Sequence, residues 1–339
     1  MKNRMKNEIA GIVERDRSID ALKFVLILFV ILLHVLGRVG EGMIAKVSYN
    51  WISSFVMPLF TFISGYFTRP ARNDGKYLRS TMNLLSIFIL FDALLWIVFP
   101  KSLNIVSLLT PQFALWYLLS LFYWRILSIF IRPEWLNLRK VLLVYIFSLF
   151  VGFVPKIGEV LSFNRTCVFL CFFVSGMASR NINAFRKIKS LPIWTALFFL
   201  VLTYLLVFFI FDSSVPYAYV GSYNGDIHRL VHRGIFMISG IMTGIGFIRI
   251  SQIQVFDKIA DLGSKTMFYY IYHTFFIAFI YIVVRAFNLS GNLFMCAVYT
   301  MVILLCLYLL SRLRFLNKIL EYNLFSAVYD RFSKIIERK

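Results

Sequence analysis

The sequence predicts an all-α, polytopic membrane protein with about ten transmembrane helices and both termini in the cytoplasm. Of its 339 residues, 60% are hydrophobic and only 15% are charged, whereas a soluble domain averages about 45–50% apolar residues. The apolar residues are gathered in runs that are long enough, or nearly so, to cross a bilayer. Lys and Arg are concentrated in alternate connections between these runs, which is typical of a fixed membrane topology.

The apolar runs are assigned as helices because lipid leaves a single segment no other way to satisfy its backbone groups. The fifth and sixth runs are short. We expect a cytoplasmic N-terminal segment over residues 1–23, a membrane domain over 24–310 and a basic amphipathic cytoplasmic tail over 311–339. The ten runs lie at about 24–40, 51–67, 80–99, 112–131, 140–154, 164–179, 191–211, 229–248, 266–284 and 292–310.

The basic residues decide the predicted orientation. With a cytoplasmic N-terminus, the inner segments hold 27 Lys and Arg residues, and the outer segments and outer helix ends hold eight. This excess is the positive-inside signal, so the net charge of +20 is interpreted as topological and not as a nucleic-acid footprint. We therefore expect a multi-pass protein of the cell (plasma or inner) membrane, in contact with lipid and with no nucleic acid. The tail predicts an amphipathic helix on the inner leaflet.

No set of residues predicts a disulfide or a metal site. The four cysteines lie within apolar runs and form no CxxC pair, so we interpret them as packing residues. His228 and His232 have a spacing that suits a metal, but no Glu accompanies them as in HExxH. We favour a polar cap at the membrane interface for these two histidines.

His34 stands in an almost unbroken apolar run, and a histidine at membrane depth marks a functional site by default. Lys23 precedes it by eleven residues, which places the two side chains about 20° apart around one helix and roughly 16 Å apart along it. Ser18 is the expected cap of this helix, with Asp20 in its first turn. Taken alone, Lys23 is an ordinary snorkelling charge at a helix end.

Two further polar residues share this depth. Arg125 lies roughly 9 Å from the inner end of the fourth run, and His273 lies roughly 10 Å into the ninth. Together with His34 they predict the walls of a shared polar cavity, although Arg125 alone also fits a side chain that snorkels inward.

Three charged residues lie nearer the predicted outer face. Asp92, in the outer half of the third run, either pairs with an arginine across the bundle or belongs to the cavity. Arg165 and Arg229 begin the sixth and eighth runs.

Five ordered stretches together resemble acyltransferase family 3, a family of integral-membrane acyltransferases. The first is IDALKFVLILFVILLH, similar to the family's pattern of a basic residue, ten others and a histidine, although the family usually has Arg where Lys23 stands. The other four are FVMPLFTFISGYF, ALWYLLSLFYWRIL, SFNRTCVFLCFFVSGM and MFYYIYHTFF. The resemblance covers about residues 16–285.

Within this family, the sequence is most similar to the branch of fucose 4-O-acetylases and capsule or exopolysaccharide O-acetyltransferases. Two departures stand out. Many relatives in that branch have Phe-His-Met-Pro where this chain has Val56 at the second position, and many have Pro where Cys171 stands. The missing histidine leaves His34 as the main candidate for a base.

The resemblance implies transfer of an acyl group, usually acetyl, from cytoplasmic acyl-CoA to a hydroxyl of a cell-surface polysaccharide or its lipid-linked precursor. Acetyl-CoA is then a donor that binds transiently, and no permanently bound cofactor is expected. His34 is the expected general base, with a transient acyl-histidine as its other role. Arg125 is expected to stabilise the oxyanion.

The remaining candidate residues are assigned to the two substrates. On the inner side, the positive charges of the donor residues suit the phosphates of acyl-CoA. On the outer side, the acceptor residues are expected to hold the glycan or lipid-linked sugar. An alternative is a polytopic transporter or flippase of a sugar-containing substrate, although no internal repeat or pair of broken helices is evident. A third possibility is acylation of a lipid or a protein. The donor residues are Lys23, Lys76 and Arg79, and the acceptor residues are Arg165, Arg229 and His273.

Overall fold

Helices form all of the regular structure in the part of the chain that the computed structural model describes. The described residues are 16–69, 75–100, 104–154, 160–210, 222–223, 225–322 and 324–325. The first fifteen residues of the predicted N-terminal segment and most of the predicted tail therefore lie outside the described residues.

Ten principal helices follow one another in the order of the ten predicted apolar runs. They are α1 (Arg17–Val39), α2 (Gly42–Phe67), α3 (Gly75–Val98), α4 (Trp116–Ser128), α5 (Leu138–Phe150), α6 (Phe163–Ser179), α7 (Ile193–Ile210), α8 (Ile227–Ser251), α9 (Thr266–Ala286) and α10 (Leu293–Leu310). Short helical segments lie between or after them: Ile105–Leu109, Phe113–Leu115, Pro133–Trp135, Val151–Phe153, Val160–Ser162, Ala184–Lys189, Gln254–Ile259, Ala260–Gly263 and Arg314–Glu321.

Seven helices within the described residues are long and apolar enough to cross a membrane. They are α1, α3, α6 with the short turn before it, α7, α8, α9 and α10. Of the other three predicted runs, α4 and α5 have 13 residues each, and α2 contains Lys46, Asn50 and Pro58. The chain is thus an all-α membrane protein, while ten spans and the side of each terminus remain predictions.

The first helix packs against α2, α8, α9 and α10. It begins at Arg17, and the carboxylate of Asp16 accepts a hydrogen bond from the backbone N–H of Ser18 at 3.0 Å. The prediction that Ser18 caps this helix is therefore wrong. An N-cap side chain binds the N–H two or three positions later, and Ser18 supplies that N–H. Asp20 lies in the first turn, as predicted.

Helices α2 and α6 cross closely through two glycines. A Cβ atom on Gly65 would lie 2.0 Å from the carbonyl oxygen of Phe173, and one on Gly176 would lie 2.0 Å from the carbonyl oxygen of Phe62. Only glycine allows two helix backbones to approach this far. The crossing fixes the last turn of α2 against α6, and that turn borders two of the cavities described below.

The helix Arg314–Glu321 folds back onto the bundle. The Tyr272 hydroxyl of α9 and the Asn83 amide of α3 donate hydrogen bonds to its backbone carbonyls at 3.2 and 3.3 Å. Three of its apolar side chains pack against the core, whereas Arg314, Phe315 and Lys318 are exposed. Part of its apolar surface therefore faces the protein, and its contact with the inner leaflet stays a prediction.

Candidate active site

Two histidines meet inside the bundle, His34 on α1 and His273 on α9. Their ring centroids are 5.2 Å apart, and the ring planes are inclined by 40°. His273 is 1% exposed, and His34 is half-buried. Helices α1 and α9 pack directly on each other, so the pair is held by the bundle and not by a loop.

A backbone contact defines the proton positions on His273. Its Nδ1 lies 2.6 Å from the carbonyl oxygen of Tyr270. A carbonyl only accepts, so Nδ1 donates, and the neutral ring then has Nε2 as an acceptor. No group in the described ranges makes a hydrogen bond to the His34 ring. One imidazole is thus held by the backbone, while the other is free to exchange a proton with a bound substrate.

An inner cavity of about 470 Å³ opens at the end of α1 that carries Lys23. The Nζ atom of Lys23 lies 3.3 Å from Oδ1 of Asp20 and 5.2 Å from the centroid of the Phe67 ring. Most of the remaining lining is apolar. It includes Phe60, Ile63, Leu118, Leu121, Gly263 and Met267, with Ser64, Tyr117, Ser264, Thr266 and Tyr270 as polar members.

Two tyrosines connect the inner cavity with the histidine pair. Tyr270 lines the cavity, and its ring centroid lies 5.9 Å from that of His273. Its hydroxyl donates a hydrogen bond to the carbonyl of Ala114. The Tyr117 hydroxyl lies 2.8 Å from Oγ of Ser64. Neither histidine lines this cavity, and the hydrogen bonds fix the two hydroxyls that lie between the cavity and the pair.

An outer cavity of about 270 Å³ lies beyond the last turn of α1. The Arg38 guanidinium is 5.5 Å from the centroid of the Phe113 ring, and the Arg165 guanidinium is 5.2 Å from that of Trp116. Both guanidiniums are within electrostatic range of His34. The full lining is Arg38, Thr110, Pro111, Phe113, Trp116, Ser162 and Arg165.

Asp92 anchors the wall of this outer cavity. Its Oδ1 accepts a hydrogen bond from the backbone N–H of Gln112 at 2.9 Å. Gln112 stands between Pro111 and Phe113, which both line the cavity. The structure thus gives Asp92 a role that neither of the two sequence interpretations included.

Arg125 has a different neighbourhood from the one predicted. Its guanidinium stacks on the Tyr77 ring at 4.5 Å, and its Nη1 lies 3.3 Å from Oγ of Ser80. It belongs to the contact between α3 and α4, and the structure does not bring it to the histidine pair. The number of residues from the helix end predicted the depth of Arg125 in the membrane. It did not determine which neighbour the long side chain contacts.

Three other predicted residues also lie apart from the cavities they were assigned to. Lys76 and Arg79 are exposed at the start of α3, and neither lines the cavity beside Lys23. Arg229 lies in the first turn of α8, with Nε 3.6 Å from Oδ2 of Asp226, and does not line the outer cavity.

Sequence reasoning missed residues that the structure brings to the site. Arg38 was counted only as a charge at an outer helix end, although it follows His34 by four residues and so shares its helix face. Tyr270 precedes His273 by three residues, a spacing that also places both on one face. Relative position along a helix was the available signal for both.

One of three comparisons with known proteins finds a match. The family model described as an acyltransferase domain matches residues 16–311. No curated protein and no solved structure matches the chain. The matched range runs from the N-cap of α1 to the residue after α10, so it includes the histidine pair and both cavities.

Proposed function

Since that model matches most of its length, the chain belongs to acyltransferase family 3 and is an acyltransferase, and we propose a specific reaction for it. The protein transfers an acetyl group from cytoplasmic acyl-CoA to a hydroxyl of a cell-surface polysaccharide or its lipid-linked precursor. His34 is the general base. Membership of an enzyme family leaves the transporter alternative without support.

The observation that carries this proposal is the position of the histidine pair between two unlike cavities. The inner cavity is mostly apolar and bordered by Lys23, which suits the thin arm of an acyl-CoA whose phosphates stay near the cation. The outer cavity combines guanidiniums with aromatic rings, which suits a sugar with its apolar ring face and polar hydroxyls. His34 lies where a thioester from one side would meet a hydroxyl from the other.

The chemistry needs one group that accepts and returns a proton. The acceptor hydroxyl oxygen forms a bond to the thioester carbonyl carbon while His34 takes the hydroxyl proton. The carbon–sulfur bond then breaks, and His34 returns the proton to the CoA thiolate. General-base catalysis of this kind contributes about 10²- to 10⁴-fold in rate.

The neighbours of His34 support the charged steps of this reaction. The carbonyl oxygen becomes an oxyanion in the tetrahedral intermediate, and a cation in a site of low dielectric stabilises it. Arg165 takes this role in place of Arg125, because Arg165 is within electrostatic range of His34. His273, with Nδ1 bound to the Tyr270 carbonyl, offers Nε2 as an acceptor for a second hydroxyl of the sugar, which would orient the acceptor while His34 takes the proton of the attacking hydroxyl.

Sidedness tests the proposal. Inside-out vesicles from expressing cells, given labelled acetyl-CoA, should transfer label to their own glycan, and vesicles from a deletion strain should not. Right-side-out vesicles given external acetyl-CoA should remain unlabelled. NMR of the product should give O-acetyl signals on sugar carbons. Efficient use of external acetyl-CoA, or label found only in lipid or protein, would contradict the proposal.

The orientation of the same vesicles can be checked on the chain itself. The four native cysteines are first removed, and one cysteine is then introduced in place of Ser190 in one variant and of Ser290 in another. Both positions are exposed. A membrane-impermeant thiol reagent should modify position 290 in intact cells and position 190 only in inside-out vesicles. The reverse pattern would overturn the predicted topology.

A further inference from the structure

A third cavity, which the reaction above does not use, has a volume of about 520 Å³. It lies where α2 and α6 end and where α4 connects to α5. These connections belong to three of the segments that the charge pattern predicts to be cytoplasmic. The lining includes Tyr66, Arg69, Glu134, Arg180, Asn181 and Asn183.

Two guanidiniums face this cavity with one carboxylate beside them. Nη1 of Arg180 donates a hydrogen bond to the carbonyl of Thr68 at 3.1 Å. Burial and then the charge of Arg69 lower the pKa of Arg180, and Glu134 acts in the opposite direction. Like charges held together are unfavourable, and an anion that enters the cavity relieves their repulsion. The site therefore favours an anionic ligand.

The third cavity and the inner cavity are neighbours on two sides of the last turn of α2. Tyr66 lines the third cavity, and its ring centroid lies 5.3 Å from that of Phe67. The Nζ atom of Lys23 lies 5.2 Å from the centroid of the Phe67 ring, and Lys23 lines the inner cavity. A ligand with an anionic head in one cavity and a thin arm in the other would pass Lys23 on its way.

We propose that the third cavity binds the phosphorylated adenosine head of the acyl-CoA donor, with Arg69 and Arg180 on its phosphates. This rests on the proposed function and moves the head group away from Lys76 and Arg79. Guanidiniums pair with phosphate oxygens in a bidentate manner, and Tyr66 offers an aromatic face to the adenine. The volume lies within the range of small-molecule sites, roughly 300–1,000 Å³. Lys23 meets the diphosphate where head and arm join.

The test uses the full chain, purified in lipid nanodiscs, with adenosine 3′,5′-bisphosphate as a probe of the head alone. In Arg69→Gln and Arg180→Gln, the Ki of this probe and the KM for acetyl-CoA should each rise about tenfold, the value of one charge-assisted hydrogen bond. The kcat should stay within about twofold of the wild-type value, because neither residue is near His34. Glu134→Gln should lower the Ki.

Lys189→Gln is the matched control, since Lys189 is an exposed cation on the short helix that follows the cavity, and its Ki should not change. Arg69→Gln decides the result if Arg180→Gln fails to fold after losing its bond to Thr68. An unchanged Ki in Arg69→Gln, with normal acetyl-CoA turnover, would overturn the head-group site and leave the proposed function intact. A rise confined to Lys76→Gln or Arg79→Gln would overturn it equally. A wild-type protein that neither binds the probe nor uses acetyl-CoA would instead refute the proposed function.

Discussion

The inner and outer cavities lie on either side of the same pair of histidines, but they are lined by different kinds of residue. Around the inner cavity, one ammonium stands at the mouth and the walls are largely aliphatic and aromatic. Around the smaller outer cavity, two guanidiniums lie over aromatic rings. An apolar wall binds a thin chain without distinguishing its parts, whereas placed cations and hydroxyls distinguish one polar ligand from another. Under the proposed function, this difference assigns the common donor to the inner cavity and the particular acceptor to the outer cavity.

This contrast explains why the two ends of α1 carry different cations. Lys23 is a compact, strongly hydrated charge on a flexible stem, and its ion pair with Asp20 is partly exposed. Arg38 is planar and stacked on Phe113. A mobile ammonium suits a ligand that arrives and leaves in each cycle, and a stacked guanidinium suits a ligand that must be held in one orientation.

His34→Ala gives the largest expected effect, because His34 is the proposed general base. We expect kcat to fall by about 10²- to 10⁴-fold, with little change in the apparent KM for acetyl-CoA. Removal of a polar group from the membrane interior adds no desolvation cost, so insertion should be normal. The measurement is O-acetylation of cell-surface glycan by NMR, with protein level by immunoblot. Leu33→Ala, at the adjacent half-buried position, is the control. Near-wild-type acetylation in His34→Ala would remove the residue from the mechanism.

Substituting one cation beside each cavity, Lys23 at the inner cavity and Arg165 at the outer cavity, should separate donor from acceptor. Lys23→Glu should raise the KM for acetyl-CoA about tenfold through repulsion of phosphate and leave the acceptor KM unchanged. Arg165→Gln should raise the acceptor KM and lower kcat, with the donor KM unchanged. Initial rates in inside-out vesicles with either substrate varied give both values.

The control for this pair is Lys23→Arg, which keeps the cation and should stay within about twofold of wild type. If Lys23→Glu alters the acceptor KM as strongly as the donor KM, the two cavities do not divide the substrates between them. If it alters neither, Lys23 is only a topological charge.

The helices and the shared depth of the two histidines could be predicted from the sequence, because each depends only on position along the chain or along one helix axis. Runs of apolar residues predicted the order of the principal helices, seven of which are long and apolar enough to cross a membrane, and depth along a helix predicted that His34 and His273 share a layer. Depth does not specify which neighbour a long side chain reaches, so Arg125 was assigned to the cavity although it stacks on Tyr77. Arg38 was missed because a cation near a helix end was read as a topology signal.

The cavities themselves could not be predicted in this way, because part of their lining comes from connections between helices, whose sequences have no periodic pattern. The outer wall depends on the segment from Thr110 to Phe113, in which Phe113 has a positive φ of 45°. The third cavity joins residues from connections more than a hundred positions apart in sequence. Such sites depend on how the helix ends are arranged in three dimensions, and a single sequence contains no direct signal for that arrangement.

The smallest expected effect concerns Asp92, which shapes the outer cavity without lining it. Gln112 is fully buried, so loss of its acceptor leaves a backbone N–H unsatisfied, at a cost of about 1–3 kcal/mol. Asp92→Leu keeps the branch at Cγ but has no acceptor and is larger, and it should lower thermal stability and raise the acceptor KM by about twofold to fivefold, since one such bond loosens only part of the wall. Asp92→Asn retains a side-chain oxygen for the same N–H and should stay near wild type in both respects. The donor KM should be unchanged in both variants, because the inner cavity shares no residue with this wall. A donor KM that rises with the acceptor KM in Asp92→Leu would mean that the two cavities are mechanically coupled through α3 and α4. An equal loss in Asp92→Asn would mean that the charge of Asp92, and not its hydrogen bond, supports the outer wall.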